Sequence, residues 1–214
     1  MGILNRRTVL GALVAGAGAA ALRPSVKGAP HNGYFQDLSA ALNASGLGTP
    51  TLVIDLQRLR RNVDQVTRNI GGRMQLRIVA KSLPSLSLLQ EVRKGAGTDR
   101  LMVFSLPQLL QLATPESDFL LGKPMPVAAA ARFYRDTKAL PQDGKLQWLI
   151  DTPERLAQYR DLARQQKRAL AVNFEIDVGL HRGGIDRPET LTQMLTMVRE
   201  EPLLQWRGLM GYDA

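Results

Sequence analysis

The chain has 214 residues, of which 44% are hydrophobic and 22% charged, a composition that belongs to a globular protein and excludes a disordered one. Its formal net charge is +9, but Arg6, Arg7, Arg23 and Lys27 supply four of those charges before residue 30. The remaining excess forms no dense basic stripe interleaved with aromatics, so no nucleic-acid partner is expected. There is no cysteine, which excludes disulfides, thiolate nucleophiles and cysteine-ligated zinc, and the two histidines, His31 and His181, make only a weak case for a metal.

Residues 1–30 read as an export signal of the twin-arginine type. Asn5-Arg6-Arg7-Thr8 is followed over 11–22 by small and apolar residues, a run shorter than the roughly 20 residues of a membrane span. The expectation is a periplasmic protein, cleaved between Ala19 and Ala29 and free of the membrane afterwards. Because that route exports folded proteins, a cofactor acquired in the cytoplasm travels with the chain. Residues 31–48 are polar and glycine-containing and read as a linker, and Gly48-Thr49-Pro50 marks the entry to an ordered domain over 49–214.

The β-branched and apolar residues after Pro50 predict a short strand over 51–54 that stops at Asp55. Asp55 then caps a helix over 56–70. Leu56, Leu59, Val63, Val66 and Ile70 fall three or four apart, Arg58, Arg60, Arg61 and Asp64 take the other face, and Gly71-Gly72 ends it. Beyond that helix, short apolar runs alternate with amphipathic stretches. Strands are predicted at 76–80, 101–104, 119–121, 146–150, 169–176 and 206–212, with 169–176 the longest. Helices are predicted at 86–92, 108–112, 127–137, 153–166 and 188–199. Strands separated by helices of this length imply right-handed crossovers and a parallel sheet. Periodicity leaves an open doubly wound sheet and a barrel both standing, although no Gly-x-Gly-x-x-Gly follows the first strand to favour a dinucleotide fold.

Residues able to carry chemistry sit at strand ends. Lys81 closes the strand 76–80, and the carboxyl end of a strand is the catalytic face of a β/α barrel. An amine held among apolar neighbours can stay neutral and form a Schiff base with an aldehyde; a solvated lysine is the plainer reading of the same position. Phe174-Glu175-Ile176-Asp177 leads from a strand into a turn where Gly179, Gly183 and Gly184 permit close backbone approach and Arg182 offers a permanently charged donor fork. Tyr212, at the end of the sixth strand, reads equally as a site residue and as an aromatic packing the rim.

Together these segments resemble the alanine racemase N-terminal-domain family, whose members carry Asp-x-Gly-Met-x-Arg-x-Gly at this point. Asp177, Gly179, Arg182 and Gly184 match it. Thr49-Pro50-Thr51-Leu52-Val53-Ile54-Asp55, Ala80-Lys81 and Arg207-Gly208-Leu209-Met210-Gly211-Tyr212 match in the same order, so the likeness covers 49–214. The resemblance implies an α/β fold, a (β/α) TIM-type barrel of pyridoxal-phosphate (PLP) fold type III. Lys81 would hold pyridoxal 5'-phosphate and Arg182 would reach the phenolic oxygen of its ring. Gly179 and His181 would belong to the cofactor site, Leu180 and His181 would lie beside the substrate carboxylate, and Tyr212 is a second catalytic candidate.

The activity so implied is that of a lyase or racemase acting at Cα of a small amino acid of the D series. PLP is an electron sink and the protein chooses which bond breaks, so retro-aldol cleavage, β-elimination and racemisation all stay open. Glu175-Ile176-Asp177, where alanine racemases commonly carry a lysine, points to the D-threonine aldolase and D-serine dehydratase branch. Ile78-Val79 before the lysine and Ser82-Leu83-Pro84 after it depart from that branch, which usually shows Pro-His and Thr-His-Lys there. Two other classes share the strand rhythm. A non-catalytic PLP-binding barrel is disfavoured by the leader and the Thr-Pro-x-Leu-Val-Ile-Asp opening, and an exported α/β binding protein predicts no response to PLP.

Six barrel-type strands are predicted, whereas a complete barrel takes about 250 residues. The expectation is therefore a partial barrel, truncated after the sixth strand and in doubt as a self-sufficient catalyst. Strands 7 and 8 and a C-terminal β-rich domain would lie beyond it, so a divalent metal is expected only through that part. A small amino-acid substrate and a homodimer of the full-length protein are implied by the resemblance alone.

Overall fold

The computed structural model describes residues 29–83 and 85–213, so the leader read over 1–30 lies almost wholly outside the described residues. The chain divides into two compact units, Met1–Val53 and Ile54–Ala214. Among the described residues no helix is long and apolar enough to cross a membrane.

In the first unit the expected linker holds a helix, α1 (Gly33–Ala44). Asn32 opens it by accepting a hydrogen bond from the Phe35 amide at 3.3 Å, satisfying one of the amides that a helix start leaves unpaired. Tyr34, Leu38 and Leu42, spaced four apart, are half-buried. That spacing behind an asparagine cap was the helix signal within a polar stretch. The strand expected over 51–54 does not form. Leu52, Val53 and Ile54 are 82%, 37% and 43% exposed, and no described strand pairs with them. β-branched residues favour a pleated surface but cannot make one without a neighbour's backbone groups.

The second unit opens with α2 (Leu56–Ile70), capped as expected by Asp55, whose Oδ1 accepts from the Arg58 amide at 3.0 Å, and closed by Gly71 in the left-handed region. The strands are β1 (Ile78–Val79), β2 (Arg100–Val103), β3 (Asp118–Leu121), β4 (Leu146–Ile150), β5 (Leu170–Ile176) and β6 (Leu204–Gly211). They form one parallel sheet in sequence order. Between them run α3 (Leu86–Ala96), α4 (Leu106–Leu112), α5 (Val127–Asp136), α6 (Pro153–Gln166) and α7 (Pro188–Arg199). A doubly wound sheet reverses its strand order at a switch point; this one never does, which makes it the wall of a TIM-type barrel with β1 and β6 as its two edges.

Only β4 keeps its predicted limits; β2, β3 and β5 shift by one residue at one end or both, and β1 and β6 differ most. β1 keeps two residues because only Ile78 and Val79 pair with β2 and Ala80 already enters a 3₁₀ turn, Ala80–Ser82. β6 has eight residues against seven for β5, so the fifth strand is not the longest; a register shift between Val172 and Asn173 lets β6 run on past Gly208.

Helices cover one face of the sheet with an aromatic cluster. Trp148 of β4, fully buried, donates from Nε1 to the Tyr134 hydroxyl at 2.9 Å and packs against Phe133 and Tyr159 at ring-centroid distances of 6.3 and 5.5 Å. These contacts tie α5 and α6 to the central strand. Burial pushes the Tyr134 hydroxyl up to about 12, and burial likewise drives the Tyr159 hydroxyl upward, so both remain neutral, Tyr134 accepting from Trp148 and Tyr159 donating to the Met125 carbonyl at 3.0 Å. Because side chains alternate along a strand, Gln147 and Asn173 take the opposite face, where the Asn173 Nδ2 donates to the Gln147 Oε1 at 2.8 Å.

At the amino ends of the strands Asp118, 6% exposed, gathers three cations. Arg77 Nη2 lies at 2.8 Å, Arg100 Nε at 3.5 Å and Lys145 Nζ at 3.9 Å, and Arg77 also donates to the carbonyls of Leu101 and Asp118. One carboxylate thus fastens the starts of β1, β2 and β4 to β3. Removing it leaves the half-buried Arg77 without its anion, while Arg100 and Lys145 stay in reach of water, so Asp118→Ala is expected to lower stability by about 1–3 kcal/mol, read as a fall in the urea midpoint at unchanged slope.

Candidate active site

Parallel strands in sequence order bring all their carboxyl ends to one rim, the face on which barrels place their chemistry. Lys81 follows β1, Phe104 follows β2, Gly122 follows β3, Asp177 follows β5 and Tyr212 follows β6. Lys81 sits in the 3₁₀ turn. Its neighbours Ile78 and Ala80 are buried, but Lys81 itself is exposed, with its Nζ 4.2 Å above the centroid of the Phe104 ring. The apolar enclosure that its flanking residues suggest is therefore not built around the amine. Instead the amine is accessible and rests on one aromatic face.

The loop after β5 is held by two carboxylates with separate tasks. Glu175, 4% exposed, accepts from Arg182 Nη2 at 3.3 Å, and the Arg182 guanidinium carbon lies 4.0 Å above the Tyr212 ring. A buried anion on β5 and a ring at the end of β6 thus fix one arginine, a pairing favoured by the planar, permanently charged guanidinium. Asp177 arranges the backbone. Its Oδ1 accepts from the amides of Gly179 at 2.9 Å and His181 at 3.1 Å, and its Oδ2 lies 2.7 Å from His181 Nδ1. These bonds, the Gly179 amide foremost, hold the Asp177 carboxyl below the usual aspartate range. They also sustain His181 in the left-handed region at φ 53°, uncommon for a residue other than glycine.

The loop then folds back onto its own strand. The Ile185 amide donates to the Glu175 carbonyl at 2.8 Å and the Asp177 amide to the Ile185 carbonyl at 3.0 Å. Gly184 makes this closure at φ 100°; a Cβ there would stand 2.8 Å from the Ile176 carbonyl carbon and 2.9 Å from the Asp177 amide nitrogen. At Gly179 and Gly183 an added Cβ would meet nothing within 4 Å, so the loop leaves open space on that side.

The structure therefore brings Arg182, Tyr212 and Glu175 into one cluster and Gly179, His181 and Asp177 into its neighbour. Lys81 contacts neither cluster; it follows the edge strand β1, and β2, β3 and β4 lie between β1 and β5 in the order of the sheet. Among the described residues no three His, Asp or Glu side chains converge to hold a metal ion. Sequence reasoning did not single out Phe104, which looked like the last residue of an apolar run, or Gly122, whose reason lies in a neighbouring strand. The loop-organising role of Asp177 was legible as Asp-x-Gly, a spacing that suits an aspartate bonding to the amide two residues on.

Fold and rim define a β/α-barrel domain with its polar groups gathered at the carboxyl ends of the strands. The family model for the alanine racemase N-terminal domain matches residues 54–214, and the chain belongs to that family. Among solved structures it is similar to D-threo-3-hydroxyaspartate dehydratase from Delftia sp. HT23, with TM-score 0.65 and 23% identity over 77% of this chain and 43% of that one. It is similar also to alanine racemase from Oenococcus oeni, with TM-score 0.58 and 18% identity over 75% of this chain and 45% of that one. Histidine racemase from Leuconostoc mesenteroides subsp. sake gives TM-score 0.59 and 15% identity over 74% and 42%. At these identities the likeness is one of fold, and the chain spans less than half the length of each of these proteins. No curated protein sequence matches it.

Two outcomes follow for the loop. Gly184→Ala is expected to open the closure at a local cost of about 1–3 kcal/mol, read as faster hydrogen exchange at the Ile185 and Asp177 amides. Because the folded loop favours ionised Asp177, its contribution is complete above the ordinary aspartate range and is lost as pH falls through the depressed folded value. The Gly179 amide chemical shift should show a step as pH falls below the ordinary aspartate range, and Asp177→Asn should abolish that step.

Proposed function

We propose that this chain carries the PLP-binding barrel of an enzyme acting at Cα of a small amino acid, of the lyase kind represented by D-serine dehydratase and D-threonine aldolase or of the racemase kind. The observation that carries the reading is an accessible primary amine, Lys81, directly after β1 and an anchored arginine, Arg182, beyond β5 on the same rim. The donor set suits the cofactor. An aldehyde requires a reachable amine, and a phenolate oxygen requires a cation with N–H groups to spare; Arg182 engages Glu175 through Nη2 and keeps its other donors. Lys81 would hold the aldehyde carbon and Arg182 the ring oxygen. When bound, PLP supplies an electron sink for charge developing at the substrate Cα.

The remaining groups have assignable tasks. Asp177 engages Nδ1 of His181, which leaves Nε2 facing outward from an exposed side chain, suited to a substrate carboxylate. Tyr212 backs Arg182, whose guanidinium carbon lies 4.0 Å above its ring. The Glu175-Ile176-Asp177 segment supports the lyase branch, within which retro-aldol cleavage and β-elimination are both open, beside racemisation. The paired arginines and apolar run near the N-terminus support export to the periplasm, and family membership supports a homodimer of the full-length protein.

Titration of the purified chain with PLP, borohydride reduction and peptide mass mapping test this reading. A pyridoxyl group on Lys81, absent from Lys81→Ala, is the expected result, and a folded chain without that adduct overturns it. Arg182→Leu should weaken PLP binding about 10- to 100-fold, the loss of one charge-assisted hydrogen bond. D-serine, D-threonine and D-threo-3-hydroxyaspartate, with alanine for racemisation, form the substrate screen for the loaded protein.

A further inference from the structure

An exposed lysine at an edge strand has two directions available, outward past the sheet or inward over the neighbouring strand ends. Lys81 takes the second. Its Nζ lies 4.2 Å above the ring of Phe104, the residue that follows β2, at a distance where the negative face of the ring attracts an ammonium. The ring in turn owes its place to Gly122, the buried residue after β3. A Cβ on Gly122 would stand 2.3 Å from both Cε1 and Cζ of Phe104 and 2.8 Å from Cγ of Met102. Gly122 is not among the glycines with positive φ, and its amide continues the sheet by donating to the Val103 carbonyl at 2.9 Å. Its backbone could therefore belong to any residue, and what the position requires is empty space. Three consecutive strand ends thus form a stack of missing side chain, ring and amine.

We propose that Phe104, seated on Gly122, is a positioning residue for Lys81, holding the amine over the carboxyl rim where a carbonyl ligand meets the barrel. This rests on the reading of Lys81 as the PLP-binding lysine. In the condensation that it serves, the ammonium first gives one proton to solvent; the amine nitrogen then replaces the aldehyde oxygen, which leaves as water with the two remaining amine hydrogens. The ring takes no part in that exchange. It restricts where the amine waits, so its removal slows the encounter without removing a reacting atom.

The test uses the full chain and two readouts. In the free protein the CεH₂ protons of Lys81 should show an upfield ring-current shift that disappears in Phe104→Leu and Phe104→Met, two variants that fill the seat without a π face. With PLP, borohydride trapping at Lys81, compared at a pH above the ordinary lysine range where the amine is neutral in every variant and only its placement differs, should be roughly two- to five-fold slower in both variants, the order of one weak aromatic contact. Phe104→Tyr should restore the wild-type rate, and Gly122→Ala, which displaces the ring, should reproduce the slow one. Each variant is first matched to wild type by circular dichroism. An unshifted Lys81 signal in the wild type, or trapping at the wild-type rate in Phe104→Leu and Phe104→Met, overturns the role of Phe104 and leaves the cofactor reading intact. A folded wild-type chain that shows the ring-current shift but takes no PLP at Lys81 overturns the cofactor reading, and the positioning role falls with it.

Discussion

The right-handed crossover between parallel strands is the constraint on which the rest of this structure depends. Each strand must be followed by a helix that returns the chain to the sheet's starting side, so every carboxyl end faces the same way. Because the strands also keep sequence order, residues that follow successive strands become neighbours along one rim. Lys81, Phe104 and Gly122 meet for that reason, although 41 positions separate the first from the last. The opposite end obeys the same geometry and is spent on cohesion, with Asp118 gathering Arg77, Arg100 and Lys145.

The two faces of the sheet divide apolar from polar work. Trp148, Phe133 and Tyr159 close the helix side, where burial stabilises in proportion to the apolar area removed from water. The other side carries the Asn173–Gln147 hydrogen bond and, at the rim, buried Glu175. Glu175 and Asp177 show how two carboxylates two residues apart acquire different tasks. The first is buried and meets a cation from the loop; the second stands where the strand ends and meets the loop's own amides. An arginine anchored in this way presents a fixed cation, and a loop ordered in this way presents a fixed histidine.

Much of this was legible in the amino-acid sequence. The helix after Asp55, the five later helices and the six strands were readable because apolar residues recurred at the spacing of each element, and Gly71 and the prolines at 153 and 188 marked its limits. Asp177, Gly179, Arg182 and Gly184 stood out because they match a stretch that alanine racemase N-terminal-domain proteins carry at this point, and the tight closure that Gly184 makes against its own strand emerged only with the fold. The strand over 51–54 was over-read and α1 was missed for one reason: local propensity is a preference, and pairing or capping decides whether it is realised.

Beyond Asp55 the sequence by itself determined the order and type of the elements, since these depend on contacts within a few residues, and the alternation of strand and helix then implied the parallel sense of the sheet. Only the tertiary structure decided that the sheet is a barrel wall, that Arg182 is shared between Glu175 and Tyr212, and that the Lys81 amine lies on Phe104 above Gly122. Those facts join residues from different strands. Their physical cause is the common direction that helix crossovers impose on strand ends, and no local pattern along the chain encodes which side chains will then touch.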